Sequence, residues 1–170
     1  DLWGLDVRSV RLSAVFGRWE RLTGVRSTPS PQFQIAAHAL AGRPALLDRP
    51  GLRDWIYAPD VAEAVLRLID APAPAHALYH VSNPAPFTVL DWGLRFAAAW
   101  PVEGFVCRLA AAGEPANVSM HGAADRASMT TARARDDLGF SAVWDAASSA
   151  RDYAGWAGAN RWCFDPTGGH

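Results

Sequence analysis

RDWIYAPDVAEAVLRLIDAPAPAHALYHVS, residues 53–82, contains two predicted strands with a predicted helix between them. Residues 53–57 form the first strand and residues 77–82 the second. In the stretch between them, apolar side chains recur at helical spacing on one face, and two prolines end the helix. The apolar positions are Val61, Ala64, Val65 and Leu68, and the prolines are Pro72 and Pro74. This alternation of strand and helix indicates an α/β protein.

Two predicted helices begin with residues at the spacing of a capping box. Asp60 and Glu63 are three residues apart at the first start, and Thr88 and Asp91 repeat that spacing at the second. In such a box the first side chain accepts a hydrogen bond from a free backbone N–H, and the second reaches back to the cap. We therefore predict that Asp60 is a helix cap rather than a ligand.

The rest of the chain continues the alternation. A buried strand over 7–16 ends at Gly17, and a loop over 18–31 is long enough to be functional. The sequence CFDPTGGH at 163–170 is predicted to be a frayed end. Further helices are predicted over 32–41, 88–100, 130–139 and 145–156, with short strands over 45–47 and 105–109.

The composition of the 170-residue chain excludes several classes of function. Half of the residues are hydrophobic, 19% are charged, and the net charge of -1 indicates no surface for nucleic acid or for an anionic membrane. None of the 16 basic residues is a lysine. Schiff-base chemistry and a Walker phosphate loop both need a lysine side chain, so both are excluded.

The expected location is the cytoplasm. No apolar run approaches the roughly 20 residues of a membrane span, and the start, DLWGLDVRSV, lacks the pattern of a signal peptide. Cys107 and Cys163 are far apart, and we expect reduced, partly buried thiols rather than a disulfide.

Four segments in order carry a family resemblance: VRLSAVFG, LAGRPALLDRPGLRDWIYAPDVAEAVLRLID, ALYHVSNPAPFTVLDW and ARARDDLGF. They occupy residues 10–17, 40–70, 77–92 and 132–140. Together they resemble the extended short-chain dehydrogenases, the NAD-dependent epimerase/dehydratase family. That family has an arginine-containing strand ending in Val-Tyr-Gly-Pro and then an Arg-Asp-Phe-x-Tyr-Val-x-Asp-Val segment. A strand ending in a Gly/Ser/Asn turn and an Arg-x-x-Leu-Gly-Phe/Trp helix follow.

The resemblance implies the C-terminal part of a Rossmann-like parallel sheet plus the small substrate-binding lobe. Residues 1–17 and 53–82 are then sheet-associated, residues 18–52 and 84–158 form mainly the substrate lobe, and residues 159–170 are a tail. The enzyme implied moves hydride between NAD or NADP and a carbinol carbon of a sugar or sugar-acid-like substrate. A homodimer is usual in the family.

The resemblance also implies roles for five positions. Ser13 and Val15 become cofactor contacts, because the family's strand ends beside the nicotinamide. Ala14 is a substrate-side position where members acting on nucleotide sugars often have Asn, which weakens the case for a nucleotide-diphosphate sugar. Arg53 matches an arginine that faces the substrate and often grips phosphate, a task that suits the planar guanidinium fork. Arg18 replaces the family's Pro and puts a cation at the mouth of the site.

The family's catalytic Tyr-x-x-x-Lys pair and its Gly-x-x-Gly-x-x-Gly loop are both missing. The fourth residue after Tyr57, Tyr79 or Tyr153 is never a lysine, and no glycine triplet of that spacing occurs. The catalytic Tyr acts as general acid/base, and the Lys lowers its pKa by charge. We therefore expect no catalytic residue here, and we expect the sequence to be the C-terminal half of a longer enzyme.

Several basic side chains also have structural alternatives. From the residues alone, Arg53 is more simply an ion-pair partner of Asp54 or Asp60, and only the family match favours a substrate role. Arg11 lies inside a predicted strand and favours a structural ion pair. The loop residues Arg18, Arg21 and Arg26 form either an anion site or ordinary solvated charges.

The remaining candidates are weaker. His76 and His80 are four residues apart, but they straddle a turn and a strand, so we predict no metal site. Most of the eight tryptophans are expected in the core or at the rim of the substrate pocket, with Trp19 and Trp55 as the two pocket candidates.

Three functions follow from this combination. The first is the substrate-binding half of an NAD(P)-dependent epimerase, dehydratase or dehydrogenase. The second is a non-catalytic ligand-binding or regulatory relative, which upstream sequence without Tyr-x-x-x-Lys would indicate. The third is an inactive truncated product, which would expose the edge of an unfinished sheet and aggregate.

Overall fold

The computed structural model describes residues 4–22, 28–120 and 122–165, which form five α-helices and eight short strands. No helix in these ranges is long and apolar enough to cross a membrane. The helices are α1 (Pro31–Leu40), α2 (Ala58–Asp70), α3 (Val89–Ala99), α4 (Ala132–Leu138) and α5 (Ala146–Ala159), followed by a 3-10 turn at Arg161–Phe164. The strands are β1 (Ser9–Leu12), β2 (Val15–Phe16), β3 (Ala45–Leu47), β4 (Leu52–Arg53), β5 (Ile56–Tyr57), β6 (Leu78–Val81), β7 (Phe87–Thr88) and β8 (Cys107–Leu109).

The strands pair two by two, and three of the four pairs among the described residues are parallel. β1 pairs with β6, β2 with β5, and β3 with β8, while β4 and β7 are antiparallel. Parallel pairs need a crossover, and α2 lies in the chain between the strands of the β1–β6 pair. The predicted α/β class is confirmed.

Two apolar clusters hold these elements together. The larger cluster contains residues of α1, α3 and α5, and the rings of Trp92, Phe96 and Tyr153 are completely buried in it. Trp92 and Phe96 stack with their ring centroids 5.2 Å apart. The smaller cluster contains residues of α2, β6 and α4, including the buried Tyr79 and Phe140. Large aromatic side chains thus account for much of the apolar area that stabilises the fold.

Local signals explain where several helices begin and end. The Ser30 side chain accepts a hydrogen bond from the Phe33 N–H, so that α1 begins at Pro31. Thr88 caps α3 as predicted, and Asp145 forms a capping box with Ser148 at the start of α5. These starts could be predicted because each depends on residues three positions apart.

The predicted capping box at Asp60 and Glu63 is wrong. α2 begins at Ala58, so Asp60 lies inside its first turn. The buried Asp60 carboxylate instead accepts hydrogen bonds from the backbone N–H groups of Val143 (3.1 Å) and Trp144 (3.2 Å). Burial raises the pKa of Asp60, and these two hydrogen bonds oppose the shift. Asp60 therefore ties α2 to a segment about eighty residues away, which no local pattern reveals.

Two predicted strands are each divided. The strand predicted over 7–16 becomes β1 and β2, and the strand predicted over 53–57 becomes β4 and β5. The chain changes partner at each break, because β1 pairs with β6 but β2 pairs with β5. Strand propensity cannot locate such a break, since it depends on which strand lies alongside.

The end of the chain is also better packed than predicted. Cys163 is buried, and the ring of Phe164 stacks on the ring of Phe33 with centroids 4.5 Å apart. The frayed-end prediction is therefore wrong for residues 163–165. Residues 166–170 lie outside the described ranges.

Both cysteines are free and buried, and this predicts unreactive thiols. Burial raises the pKa of Cys107 to about 12, so the reactive thiolate is scarce at neutral pH. We expect Cys107 to resist an aromatic disulfide reagent in the native protein at about pH 8 and to react fully once the protein is unfolded in guanidinium. The yield of labelled Cys107 peptide measures this, and rapid labelling of the native protein would contradict the buried position.

Candidate functional site

The end of β1 and the segment around β4 and β5 lie next to each other. The Ile56 N–H donates to the Ala14 carbonyl at 3.0 Å, and the Ser13 hydroxyl donates to the Asp54 carboxylate at 2.6 Å. The structure thus brings the predicted positions Ser13, Ala14 and Val15 close to Arg53, although they are about forty residues apart in the chain.

Asp54 is the link between these segments. Its side chain is buried, and besides the Ser13 hydroxyl it accepts a hydrogen bond from the Met129 N–H at 3.0 Å. Both oxygens of the carboxylate are therefore engaged by groups other than arginine. The alternative in which Arg53 is the ion-pair partner of Asp54 or Asp60 is wrong, because no such pair forms among the described residues.

Arg53 has a half-buried guanidinium with an unused hydrogen-bond donor. Its guanidinium carbon lies 5.5 Å from the centre of the Trp55 ring, and its Nε is buried with no hydrogen-bond partner in the described part of the chain. Burial lowers the pKa of Arg53, the positive charge of Arg126 lowers it further, and the negative charge of Asp54 opposes both effects. An incoming anion would relieve both effects, since it would accept from Nε and neutralise the repulsion.

We call the pocket around this side chain the arginine pocket. Three arginines line it, and one carboxylate is present. It is a narrow cleft that is partly open to solvent. The lining consists of Arg49, Gly51, Leu52, Arg53, Trp55, Met120, Ala124, Asp125 and Arg126.

Arg49 is the lining arginine that is already held by a carboxylate. Its guanidinium donates to the Asp125 carboxylate and to the Gly122 carbonyl, each at 2.6 Å, while its Nε is buried without a partner in the described ranges. Sequence reasoning missed Arg49 and Arg126. Arg49 precedes Arg53 by four residues, a spacing that could have signalled it, whereas Arg126 lies in a stretch without readable periodicity.

Arg18 does not line the arginine pocket. Its guanidinium forms an ion pair with Asp152, which also accepts a hydrogen bond from the Tyr57 hydroxyl. The hydrogen bond to Asp152 raises the pKa of Arg18, and burial opposes that shift. A substrate that used Arg18 would have to compete with Asp152. The substrate role of Arg18 stays a prediction.

The other basic candidates are dispersed. Arg11 contacts the His80 ring at 3.3 Å, in place of the expected ion pair. The guanidinium carbon of Arg21 lies 4.9 Å from the centre of the Trp162 ring. Arg26 lies outside the described residues. The two tryptophan candidates also differ, because Trp55 lines the arginine pocket while the exposed Trp19 packs edge-on against Trp156.

Histidines and acidic residues form no metal site in the described ranges. No group of three or more His, Cys, Asp or Glu side chains there could hold an ion. His76 packs against the Tyr79 ring, and its backbone N–H donates to the Tyr79 hydroxyl.

Comparison with known proteins gives a family match and a set of similar structures. Residues 1–81 match the sequence model of the NAD dependent epimerase/dehydratase family. No curated protein is similar to the sequence at a significant level.

The similar structures share the fold at low sequence identity. The Bordetella bronchiseptica enzyme WbmF in complex with NAD+ and UDP is 20% identical, with a TM-score of 0.63 over 91% of this chain and 47% of that one. A dTDP-glucose 4,6-dehydratase from Bacillus anthracis in complex with NAD is 14% identical, with a TM-score of 0.66 over 94% and 47%. L-threonine 3-dehydrogenase from Trypanosoma brucei is 18% identical, with a TM-score of 0.65 over 89% and 46%. The chain thus spans slightly less than half the length of these proteins.

Proposed function

We propose that this chain, a member of the NAD-dependent epimerase/dehydratase family by its sequence match and its fold, is the substrate-binding half of an NAD(P)-dependent epimerase, dehydratase or dehydrogenase. The substrate class we propose is a sugar or sugar acid that carries an anionic group, bound at the arginine pocket. The observation that carries the proposal is the buried Nε of Arg53, which lacks a partner in the described residues and lies beside Arg126.

The charge of the arginine pocket supports an anionic substrate. Three guanidinium groups line the pocket, and Asp125, its only lining carboxylate among the described residues, pairs with Arg49. The neighbouring Asp54 accepts from Ser13 and Met129 instead. A hydrogen bond to a charged group contributes about 1.5–3 kcal/mol net, so two such contacts give useful affinity.

The cofactor of the intact enzyme would be NAD or NADP, but these residues do not hold it by themselves. The Ser13 hydroxyl already donates to Asp54, and the Val15 side chain packs against the smaller apolar cluster. The 170 residues contain no glycine-rich phosphate loop and no Tyr-x-x-x-Lys pair. The cofactor roles of Ser13 and Val15 stay predictions.

We infer that a second α/β unit, which would carry the dinucleotide, packs on the outer edge of β1. In the described part of the chain β1 pairs only with β6, and Leu12 on β1 is 41% exposed. On α2, the Arg67 guanidinium donates a hydrogen bond to the carbonyl of Gly139, at the end of α4. The Ile69 side chain of the same helix is 71% exposed. An open strand edge beside exposed apolar side chains is typical of a surface that another unit covers.

Titration calorimetry of the purified chain tests the substrate proposal. We expect pyrophosphate and UDP-glucose to bind with dissociation constants on the order of 0.1–1 mM, because two or three charge-assisted hydrogen bonds form. Glucose is the matched neutral control and is expected not to bind. Absence of saturable binding for both charged probes would refute an anion site in the arginine pocket.

A non-catalytic ligand-binding or regulatory role is the second candidate. Sequence upstream of these residues that lacks a Tyr-x-x-x-Lys pair would favour it. The two functions differ in turnover, so NAD(P)H formation by the intact protein with a bound sugar substrate distinguishes them. A cytoplasmic location and a homodimer stay predictions.

A further inference from the structure

We propose that Asp125 acts as an internal anion that occupies Arg49 in the arginine pocket until an anionic ligand displaces it. This inference rests on the proposed function, because it concerns how the same pocket admits its ligand. We call residues 122–129 the strap, since three of them line the pocket and two of these are Asp125 and Arg126.

Two sets of contacts hold the strap, one partly exposed to solvent and one buried. At the pocket, the Arg49 guanidinium holds the Asp125 carboxylate and the Gly122 carbonyl, each at 2.6 Å. At its other end, the Met129 N–H donates to the buried carboxylate of Asp54. The first attachment is partly open to water, because 48% of the Asp125 side chain is exposed. The second is anchored in the protein interior.

Asp125 already occupies the Arg49 guanidinium on the pocket. An anion that is to contact Arg49 and Arg53 together must therefore take the place of the Asp125 carboxylate. Asp125 is the group that most readily leaves, since an exposed ion pair contributes little net free energy.

The charges on the pocket favour this exchange. With Asp125 paired to Arg49, Arg53 and Arg126 both line the pocket, and neither forms an ion pair with a described lining residue. A ligand with two negative charges can contact Arg49 and Arg53 together and replace the single charge of Asp125. Ligand binding then replaces the exposed ion pair of Arg49 and Asp125. The new contacts join the ligand's negative charges to the arginines that line the pocket.

The attachment of Met129 to Asp54 limits the movement. Because that bond is buried and independent of Arg49, we expect residues 122–128 to swing outward while Met129 stays in place. Arg126 remains on the strap and can return to close over the bound ligand. The strap therefore opens to admit the ligand and then supplies one of its contacts.

The experiment is calorimetric titration of the chain with pyrophosphate, comparing wild type with Asp125→Asn. Asn keeps the size of the side chain but removes the charge that competes with the ligand. We expect Asp125→Asn to bind pyrophosphate about 3- to 10-fold tighter. Asp136→Asn is the matched control, because Asp136 is also an exposed acid, lies on α4 and pairs with Arg135 outside the pocket. Its affinity is expected to equal that of wild type.

The comparison distinguishes failure of the strap proposal alone from failure of the proposed function. If wild type binds pyrophosphate and Asp125→Asn binds it no tighter, the strap proposal is overturned and the anion site stands. If neither protein binds, both the strap and the proposed function fail. Asp125→Ser is the second variant, and it must shift the affinity in the same direction, since the removal of charge rather than the shape of the new side chain is the cause.

Discussion

Arg53→Ala is expected to weaken pyrophosphate binding by about 30- to 100-fold. The variant removes a guanidinium that can donate through its buried, unpartnered Nε and that is oriented by the Trp55 ring. Loss of a charge-assisted contact of about 2–2.8 kcal/mol corresponds to a change of that size in the dissociation constant. Titration calorimetry at constant ionic strength measures it, because salt screens such contacts.

Two further variants show whether this effect belongs to Arg53 itself. Arg53→Lys keeps the positive charge but loses the planar fork, so we expect an affinity between those of wild type and Arg53→Ala. Arg95→Ala is the matched control, because Arg95 forms an exposed ion pair with Asp91 on α3, outside the arginine pocket. Equal affinities for wild type and Arg53→Ala would remove Arg53 from the substrate site.

Gly17→Ala is expected to destabilise the protein by about 2–5 kcal/mol, through backbone strain together with overpacking. Gly17 has a φ of +138°, which side-chain-bearing residues rarely adopt. A methyl group there would lie 2.8 Å from the buried ring of Tyr57. That ring cannot easily shift, because its hydroxyl donates to Asp152 and its face packs against Phe16. Thermal unfolding should show a melting temperature lower by about 4–20 °C.

Gly155→Ala is the matched control for Gly17→Ala. Gly155 lies within α5, and a methyl group added there meets no atom within 4 Å. Alanine has the higher helix propensity by about 1 kcal/mol, so this variant should be slightly more stable than wild type. A melting temperature for Gly17→Ala at or above that of wild type would show that β2 and β5 tolerate a side chain at this position.

Much of the fold could be predicted because its signals are local. The apolar spacing of Val61, Ala64 and Leu68 located α2, and Thr88 located the start of α3, since helical neighbours lie three or four residues apart. The same locality explains the errors. Asp60 has a capping residue's spacing, but its partners are the backbone N–H groups of a distant segment.

The site was predicted less completely than the fold. Arg53 could be proposed from its resemblance to a family motif, and the structure places it on a pocket. Arg49 and Arg126 reach the same pocket from other segments, and nothing in the sequence relates Arg126 to Arg53. Arg18 matched an expected position too, but Asp152, which is 134 residues away in the chain, engages its guanidinium.

The sequence by itself determined the α/β class, the helices that follow apolar periodicity, and the absence of a lysine-dependent mechanism from these 170 residues. Each of these depends on residue type or on neighbours within about one helical turn. Only the tertiary structure decided which charges remain without partners. Asp54 accepts hydrogen bonds from Ser13 and Met129, and Asp125 pairs with Arg49. The Nε of Arg53 is left without a partner among the described residues. This distribution arises because the folded chain brings together groups that sequence spacing does not relate.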